Sequence, residues 1–287
     1  MKFQRNISLA KYTTFRIGGQ AKYFFIAKTK KDLILAIQEA KRKKLPFFIL
    51  GNGSNILISD KGFDGLVIKI QNSKFKILNS KIIAGAGVHL GKLVNESAVK
   101  RLSGLEWAIG IPGTVGGAVY GNAGAFKKSM GDVVKEVEVY DTKNQEFKIL
   151  KNKNCKFGYR DSIFKHNKNL IIVSATIKLK KGNKKEIKKK IKEYLNYKKK
   201  TQPLSFHSAG SIFKNSKNFS AAELIERCNL KGKKIGKAKI SGKHANFIIN
   251  LGGAKAEDVI KLINLIKKSV KNKFGIILKE EIQYLDH

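Results

Sequence analysis

Residues 110–124 read GIPGTVGGAVYGNAG, six glycines in fifteen positions. Each glycine inside a helix costs about 1 kcal/mol relative to alanine, so propensity alone opposes a stable helix here. Such a run is expected where another group approaches the backbone closely; a flexible loop without a ligand is the plainer alternative. Pro112 suits a first helical turn, and Thr114 offers a hydroxyl where a helix would begin. Upstream, ILGNGSNILI (49–58) sets Gly51, Asn52, Gly53 and Ser54 between two apolar runs. Successive N–H groups there can converge on an anion without the help of a lysine, although a tight turn fits the same residues. Neither cluster is a standard nucleotide motif. Ile56 stands where G-x-G-x-x-G needs its third glycine, which excludes the dinucleotide fold built on that fingerprint. In GAGVHLGKL (85–93) the spacing from Gly87 to Gly91 is one residue short of a P-loop, and Leu93 replaces its Ser or Thr. A large phosphate-bearing ligand fits these features better than nucleotide hydrolysis.

The surrounding chain mixes helix and strand signals. Thr29 with Asp32 forms a capping-box start for a helix carrying Leu33, Ile34, Ile37 and Ala40 on one face and closed by Pro46; FFIL (47–50) follows as a short strand. GLVIKI, KIIAGAG, VVKEVEVY and LIIVSATIKL read as further strands. Residues 176–200 hold twelve lysines, yet Ile187, Ile191, Tyr194 and Leu195 recur at helical spacing. This predicts an amphipathic connecting helix with solvated lysines in preference to a nucleic-acid arm. Ser220 with Glu223 predicts a second capping box, ahead of Leu224 and Ile225. Val259, Ile263, Ile266 and Val270 predict a helix near 256–271, and FGIILKEEIQYL (274–285) reads as a closing strand.

Bulk properties bound the function. A chain of 287 residues with 42% hydrophobic content is long enough for about two domains. The formal charge of +38 fits either a polyanionic partner or lysine drift on the surface; the scarcity of arginine favours drift. Cys155 and Cys228 form no CxxC pair, and His89, His166, His207, His244 and His287 form no H-E-x-x-H pair. Reduced thiols and the absence of a catalytic metal are expected. No leader-like apolar segment and no run of about 18 apolar residues is present, so a cytoplasmic protein outside the membrane is expected. In HSAGSIFKN (207–215), Ser211 has no G-x-S-x-G setting, which leaves phosphate ligand, proton donor or turn residue as its readings ahead of nucleophile.

TTFRIGG (13–19), LGNGSNILI (50–58), GLEWAIGIPGTVGGAVYGNAGAF (104–126), FGYRDSIF (157–164), SAGSIFKN (208–215), KHANFIIN (243–250) and FGIILKEEI (274–282) occur in this order along nearly the whole chain. Together they resemble the UDP-N-acetylenolpyruvoylglucosamine reductase family. The resemblance implies an α+β chain: a two-subdomain FAD-binding fold of the vanillyl-alcohol-oxidase (PCMH) type at 1–185, divided near 66, and a C-terminal α/β substrate domain at 186–287 whose last strand returns to the active site. It implies FAD as cofactor, NADPH as hydride donor and a UDP-sugar enolpyruvyl ether as substrate, reduced by a monomer in peptidoglycan precursor synthesis, with no metal, membrane or nucleic acid involved.

By the same resemblance, Gly51, Asn52, Gly53, Ser54 and Asn55 meet the FAD pyrophosphate, and Gly110, Pro112, Gly113, Thr114, Gly116 and Gly117 pack against the cofactor. Arg160 holds the substrate carboxylate, Ser211 donates a proton and Glu281 assists it, while Asn215, His244 and Phe126 contact substrate, with Lys214 and Lys243 beside them. Motif register alone selects Glu281 over Glu280. The short segment between Arg160 and Ser211 resembles the family form that lacks a tyrosine-bearing loop. Phe126 replaces a tyrosine, and FKNS and LKEEI replace the more usual FKNP and LEPEV. The rival readings are another flavoprotein of the same cofactor fold and a nucleic-acid-binding module.

Overall fold

A computed structural model describes residues 2–216 and 218–286, which leaves His287 outside the described residues. The chain forms two compact units, each built from separated segments. The first holds Phe25–Asn52 and Val67–Tyr197; the second holds Gln4–Phe24, Gly53–Leu66 and Lys198 onward. The divisions fall after residues 3, 24, 52, 66 and 197.

The first unit is built on an antiparallel sheet of five strands in the order Glu146–Lys151, Val134–Asp141, Leu170–Lys178, Lys81–Gly85 and Phe75–Leu78. Its middle strand, LIIVSATIK, is buried along most of its length, as an apolar run with few charges predicts. Helix Lys30–Arg42 begins with the expected capping box. Thr29 Oγ1 accepts from the Asp32 N–H at 3.1 Å, and Asp32 Oδ2 accepts from the Thr29 N–H at 2.9 Å. It buries Leu33, Ala36, Ile37 and Ala40, so the apolar face turns toward Ala36 and leaves Ile34 half-buried. Strand Phe47–Leu50 follows where expected.

The six-glycine stretch forms a short helix, Val115–Tyr120, against the propensity expectation. Tertiary bonding explains it. The N–H groups of Val115 and Gly116 donate to Val88 O and Ala86 O at 2.8 and 2.9 Å. A Cβ on Gly116 would lie 2.8 Å from that of Ala86, so this glycine permits the close approach.

In the second unit, helix Ala256–Phe274 buries Ala256, Val259, Leu262, Ile263, Ile266 and Val270 against a core that includes Phe15, Leu57, Phe213, Leu224 and Ile248. Burying each large aliphatic side chain is worth about 1.5–3 kcal/mol, so this face adds substantially to the unit's stability. Asp60 receives the helix's first N–H groups, from Ala256 at 2.9 Å and Glu257 at 3.2 Å. Strand Gln283–Leu285 pairs in parallel with Ile56–Ile58.

Three local expectations are corrected. Helix Ala221–Arg227 has Ser220 at its N-cap, but the hydroxyl makes no capping bond; Asn215 Oδ1 accepts the Ala221 N–H at 3.0 Å instead. The expected strand at 274–285 shrinks to Gln283–Leu285, because Phe274 still belongs to the preceding helix and Gly275 ends it at φ 70°. Helix Lys184–Thr201 is amphipathic as expected, but Lys198 is only 4% exposed, so its lysines are not all solvated. Burial pulls the Lys198 ammonium down to about 8.

Candidate active site

In the first unit, the two glycine clusters meet. Asn52 Nδ2 donates to Pro112 O, and a Cβ on Gly51 would lie 2.8 Å from Thr114 Oγ1. A lysine stands here after all: Lys69 Nζ donates to Gly51 O at 2.9 Å. Thr114 caps helix Val115–Tyr120 by accepting from the Gly117 N–H at 3.5 Å, and Gly113 O accepts from the Leu90 N–H. With the N–H groups of Val115 and Gly116 already bonded to the neighbouring chain, this helix start has little left to donate to a ligand. Gly116 and Gly117 are therefore accounted for by packing and capping. Gly110 turns the chain at φ 71°.

Gly53, Ser54 and Asn55 fall in the second unit. Gly53 lies at φ 60°, and a Cβ there would sit 2.3 Å from Tyr12 O, so only glycine fits. Its carbonyl accepts from the Thr14 N–H. Among the described residues, the N–H groups of Asn52, Gly53 and Ser54 have no backbone acceptor. A loop with unspent donors and a left-handed glycine fits an anionic diphosphate. Asn55 is committed elsewhere: its Nδ2 donates to Glu281 O at 3.1 Å, and its carbonyl accepts from the Gln283 N–H.

Arg160 lies at the tip of a tight turn in the first unit. Gly158 and Asp161 exchange backbone bonds around Tyr159 and Arg160, and Arg160 adopts φ 55°. A side chain other than glycine in the left-handed region costs about 1–3 kcal/mol, and such outliers concentrate at functional sites. The turn is braced by Asn122 Nδ2 on Gly158 O and by Lys165 Nζ on Arg160 O, both at 2.7 Å. The guanidinium donates through Nη2 to Gly124 O at 2.8 Å and lies 5.2 Å from the centroid of the Tyr159 ring. Gly124 begins a hairpin whose two-residue tip, Phe126 and Lys127, is also left-handed, at φ 52° and 59°. The Phe126 ring stacks on Tyr194 at 4.0 Å and meets Tyr197 edge-on at 5.5 Å.

Ser211 and Glu281 both lie in the second unit, linked through Ile212. Ser211 bridges to Phe247, and the next residue, Ile212, offers its carbonyl to both the Glu281 and Ile282 N–H groups, at 2.7 and 3.4 Å. Glu280 and Glu281 lie outside any regular strand, so strand alternation does not decide between them. Sequence periodicity could not foresee this. Glu280 has other partners: its carboxylate accepts from Lys267 Nζ at 2.8 Å and from the Tyr284 hydroxyl. Burial and this contact push the Tyr284 phenol up.

Asn246 is a residue the sequence reading missed. It is 3% exposed; its Nδ2 donates to Phe213 O and its Oδ1 accepts from the Phe213 N–H, at 2.8 and 2.9 Å. Its own carbonyl accepts from the Ile212 N–H. The only signal was its place inside KHANFIIN.

His244 lies beside Asn246. Burial, then the charge of Lys231, pulls its imidazole down and keeps it neutral. Its Nδ1 accepts from the Asn246 N–H at 3.3 Å, which places the proton of the neutral ring on Nε2 as a donor. Lys243 Nζ donates to Lys199 O at the end of helix Lys184–Thr201, and the Lys214 N–H donates to Lys279 O. Asn215 uses its side-chain oxygen on Ala221, as described above.

Cys155 and Cys228 are free, and burial pushes the Cys155 thiol up to about 11, which makes it inert. Among the described residues, no cluster of His, Cys, Asp and Glu could hold a metal, and no helix is long and apolar enough to cross a membrane.

Comparison with known proteins adds three findings. Residues 21–148 match a family model described as FAD binding domain, and residues 202–285 match one described as UDP-N-acetylenolpyruvoylglucosamine reductase, C-terminal domain. Proteins named UDP-N-acetylenolpyruvoylglucosamine reductase are similar along most of their length. That of Caldanaerobacter subterraneus subsp. tengcongensis is 46% identical over 98% of this chain and 93% of its own, and that of Prochlorococcus marinus is 40% identical over 99% and 98%. The crystal structure of the Thermus caldophilus reductase superposes with a TM-score of 0.87 at 35% identity, covering both chains fully. The expected α+β class holds, with a FAD-binding region followed by a distinct C-terminal domain.

Proposed function

The chain belongs to the UDP-N-acetylenolpyruvoylglucosamine reductase family, and we propose that it reduces UDP-N-acetylglucosamine enolpyruvate to UDP-N-acetylmuramate with NADPH and FAD, as a cytoplasmic monomer in peptidoglycan precursor synthesis. Residues 1–185 would hold the cofactor in two subdomains divided near 66, and 186–287 the sugar nucleotide. FAD, when bound, would supply the hydride, taken from NADPH, for the terminal carbon of the enolpyruvyl group.

The side chains then have separate tasks. Loop Gly51–Ser54 directs backbone N–H groups at the cofactor's diphosphate. Arg160, on its braced and strained turn, presents a planar guanidinium that pairs with the substrate carboxylate and stabilises the charge gathering beside it as hydride arrives. Ser211 gives its hydroxyl proton to the neighbouring carbon, which completes saturation of the double bond. Glu281 orients that hydroxyl and helps return a proton to it. His244 donates from Nε2, Asn215 and Phe126 each contact substrate, and Lys214 and Lys243 assist with the sugar-nucleotide phosphates.

The observation that most supports this reading is the backbone bond from the Glu281 N–H to the carbonyl of Ile212, the residue after Ser211. Purified protein should be yellow, anaerobic NADPH should bleach it, and the enolpyruvyl substrate should restore the colour. A colourless chain that FAD cannot reconstitute would refute the assignment.

A further inference from the structure

Lys69 lies on strand Phe63–Ile70 within an otherwise buried stretch, Val67, Ile68 and Ile70. It is half-buried, and its ammonium reaches Gly51 O at 2.9 Å. A peptide unit is planar and trans, so the Gly51 carbonyl and the Asn52 N–H point in opposite directions. Pinning the carbonyl to Lys69 turns that N–H away from the strand. The same peptide is fixed by the Asn52 side chain on Pro112 O and by Thr114 Oγ1, which fills the space where a Gly51 Cβ would stand. A positive charge thus sits directly behind an oriented, unspent donor, an arrangement that suits a bound polyanion.

We infer that Lys69 is a positioning residue for the cofactor's diphosphate, acting by fixing the Gly51–Asn52 peptide plane and by placing a cation behind it. The inference rests on the FAD-dependent reading of this loop. Burial holds the Lys69 ammonium below its usual value, a cost that a neighbouring anion offsets.

The test titrates the full-length chain, stripped of flavin, with FAD, ADP and riboflavin. The variants are Lys69→Met, Lys69→Arg and, as a control for net charge, Lys189→Met on the exposed face of helix Lys184–Thr201. Lys69→Met should weaken FAD and ADP by about 10- to 100-fold, the range for a charge-assisted contact. It should leave riboflavin, which has no phosphate, unchanged. Lys69→Arg should recover most of the loss, and Lys189→Met should match the unaltered chain.

A folded Lys69→Met chain that binds FAD as tightly as the unaltered one overturns the inference, as does an equal loss for riboflavin. If the unaltered chain binds no FAD, the functional reading itself falls, and this inference with it. Should Lys69→Met fail to fold, the unaltered chain decides. Its FAD affinity should fall as pH rises through the alkaline range below 10.5, where Lys69, its ammonium held below the usual value by burial, loses its proton; a flat profile overturns the inference.

Discussion

Replacing Asn246 with alanine should strip the Ser211 segment of its support. The Asn246 amide closes two bonds with the backbone of Phe213, and both residues are buried, at 3% and 1% exposure. Alanine can make neither bond, and water has little access. Each stranded backbone group costs about 1–3 kcal/mol, so the pair suggests a loss of roughly 3 kcal/mol after partial relaxation. Ser211 lies two residues upstream, so the proton donor should also lose its fixed position. The assay is urea unfolding of Asn246→Ala beside the unaltered chain, followed by separate measurement of flavin reduction by NADPH and its reoxidation by substrate. Expected are a lower midpoint with an unchanged slope, near-normal reduction, and reoxidation slowed by about tenfold or more. A stability change within about 0.5 kcal/mol, the range of an ordinary surface substitution, would refute the reasoning.

Asp60→Ala should cost about 1–2 kcal/mol by removing the acceptor of the Ala256 and Glu257 N–H groups, with Asp60→Asn losing less; thermal melts check this. His244 adds a pH-dependent term. Its imidazole titrates below 6.5 in the folded chain, so the unfolded chain binds more protons in that window. Its contribution is present above about 6.5 and is lost as pH falls through the lowered folded value. Urea midpoints of the unaltered chain and His244→Gln should therefore converge on acidification through this range, and a constant difference between them would contradict it.

Much of the fold was legible because its signals are local. The Thr29–Asp32 box, the FFIL strand and the apolar stripe of helix Ala256–Phe274 each depend on residues a few positions apart. Ser220 shows the limit: its box has the right spacing, but Asn215 reaches the Ala221 N–H and takes the capping role. Glycine propensity failed at Val115–Tyr120 for a similar reason, since bonds to Ala86 and Val88 outweigh it.

The candidate site divides along the same line. Ser211, Arg160 and the Gly51–Ser54 loop stand in recognisable motifs. Lys69 and Asn246 act on carbonyls and N–H groups far away in sequence, the Glu281 N–H finds its acceptor at Ile212 far upstream, and the left-handed turn at Arg160 falls on a residue type that gives no warning of it.

The central claim is that Ser211 protonates the carbon next to the site of hydride addition. Rapid-mixing spectroscopy of the Ser211→Ala holoenzyme tests it by following the two halves of the reaction separately. Bleaching of the flavin by NADPH should proceed within a few-fold of the unaltered rate, while recovery of colour on adding the enolpyruvyl substrate should slow by about 10²–10⁴-fold, the usual contribution of a positioned general acid. Recovery at the normal rate, or an equal loss in both halves, would contradict the account.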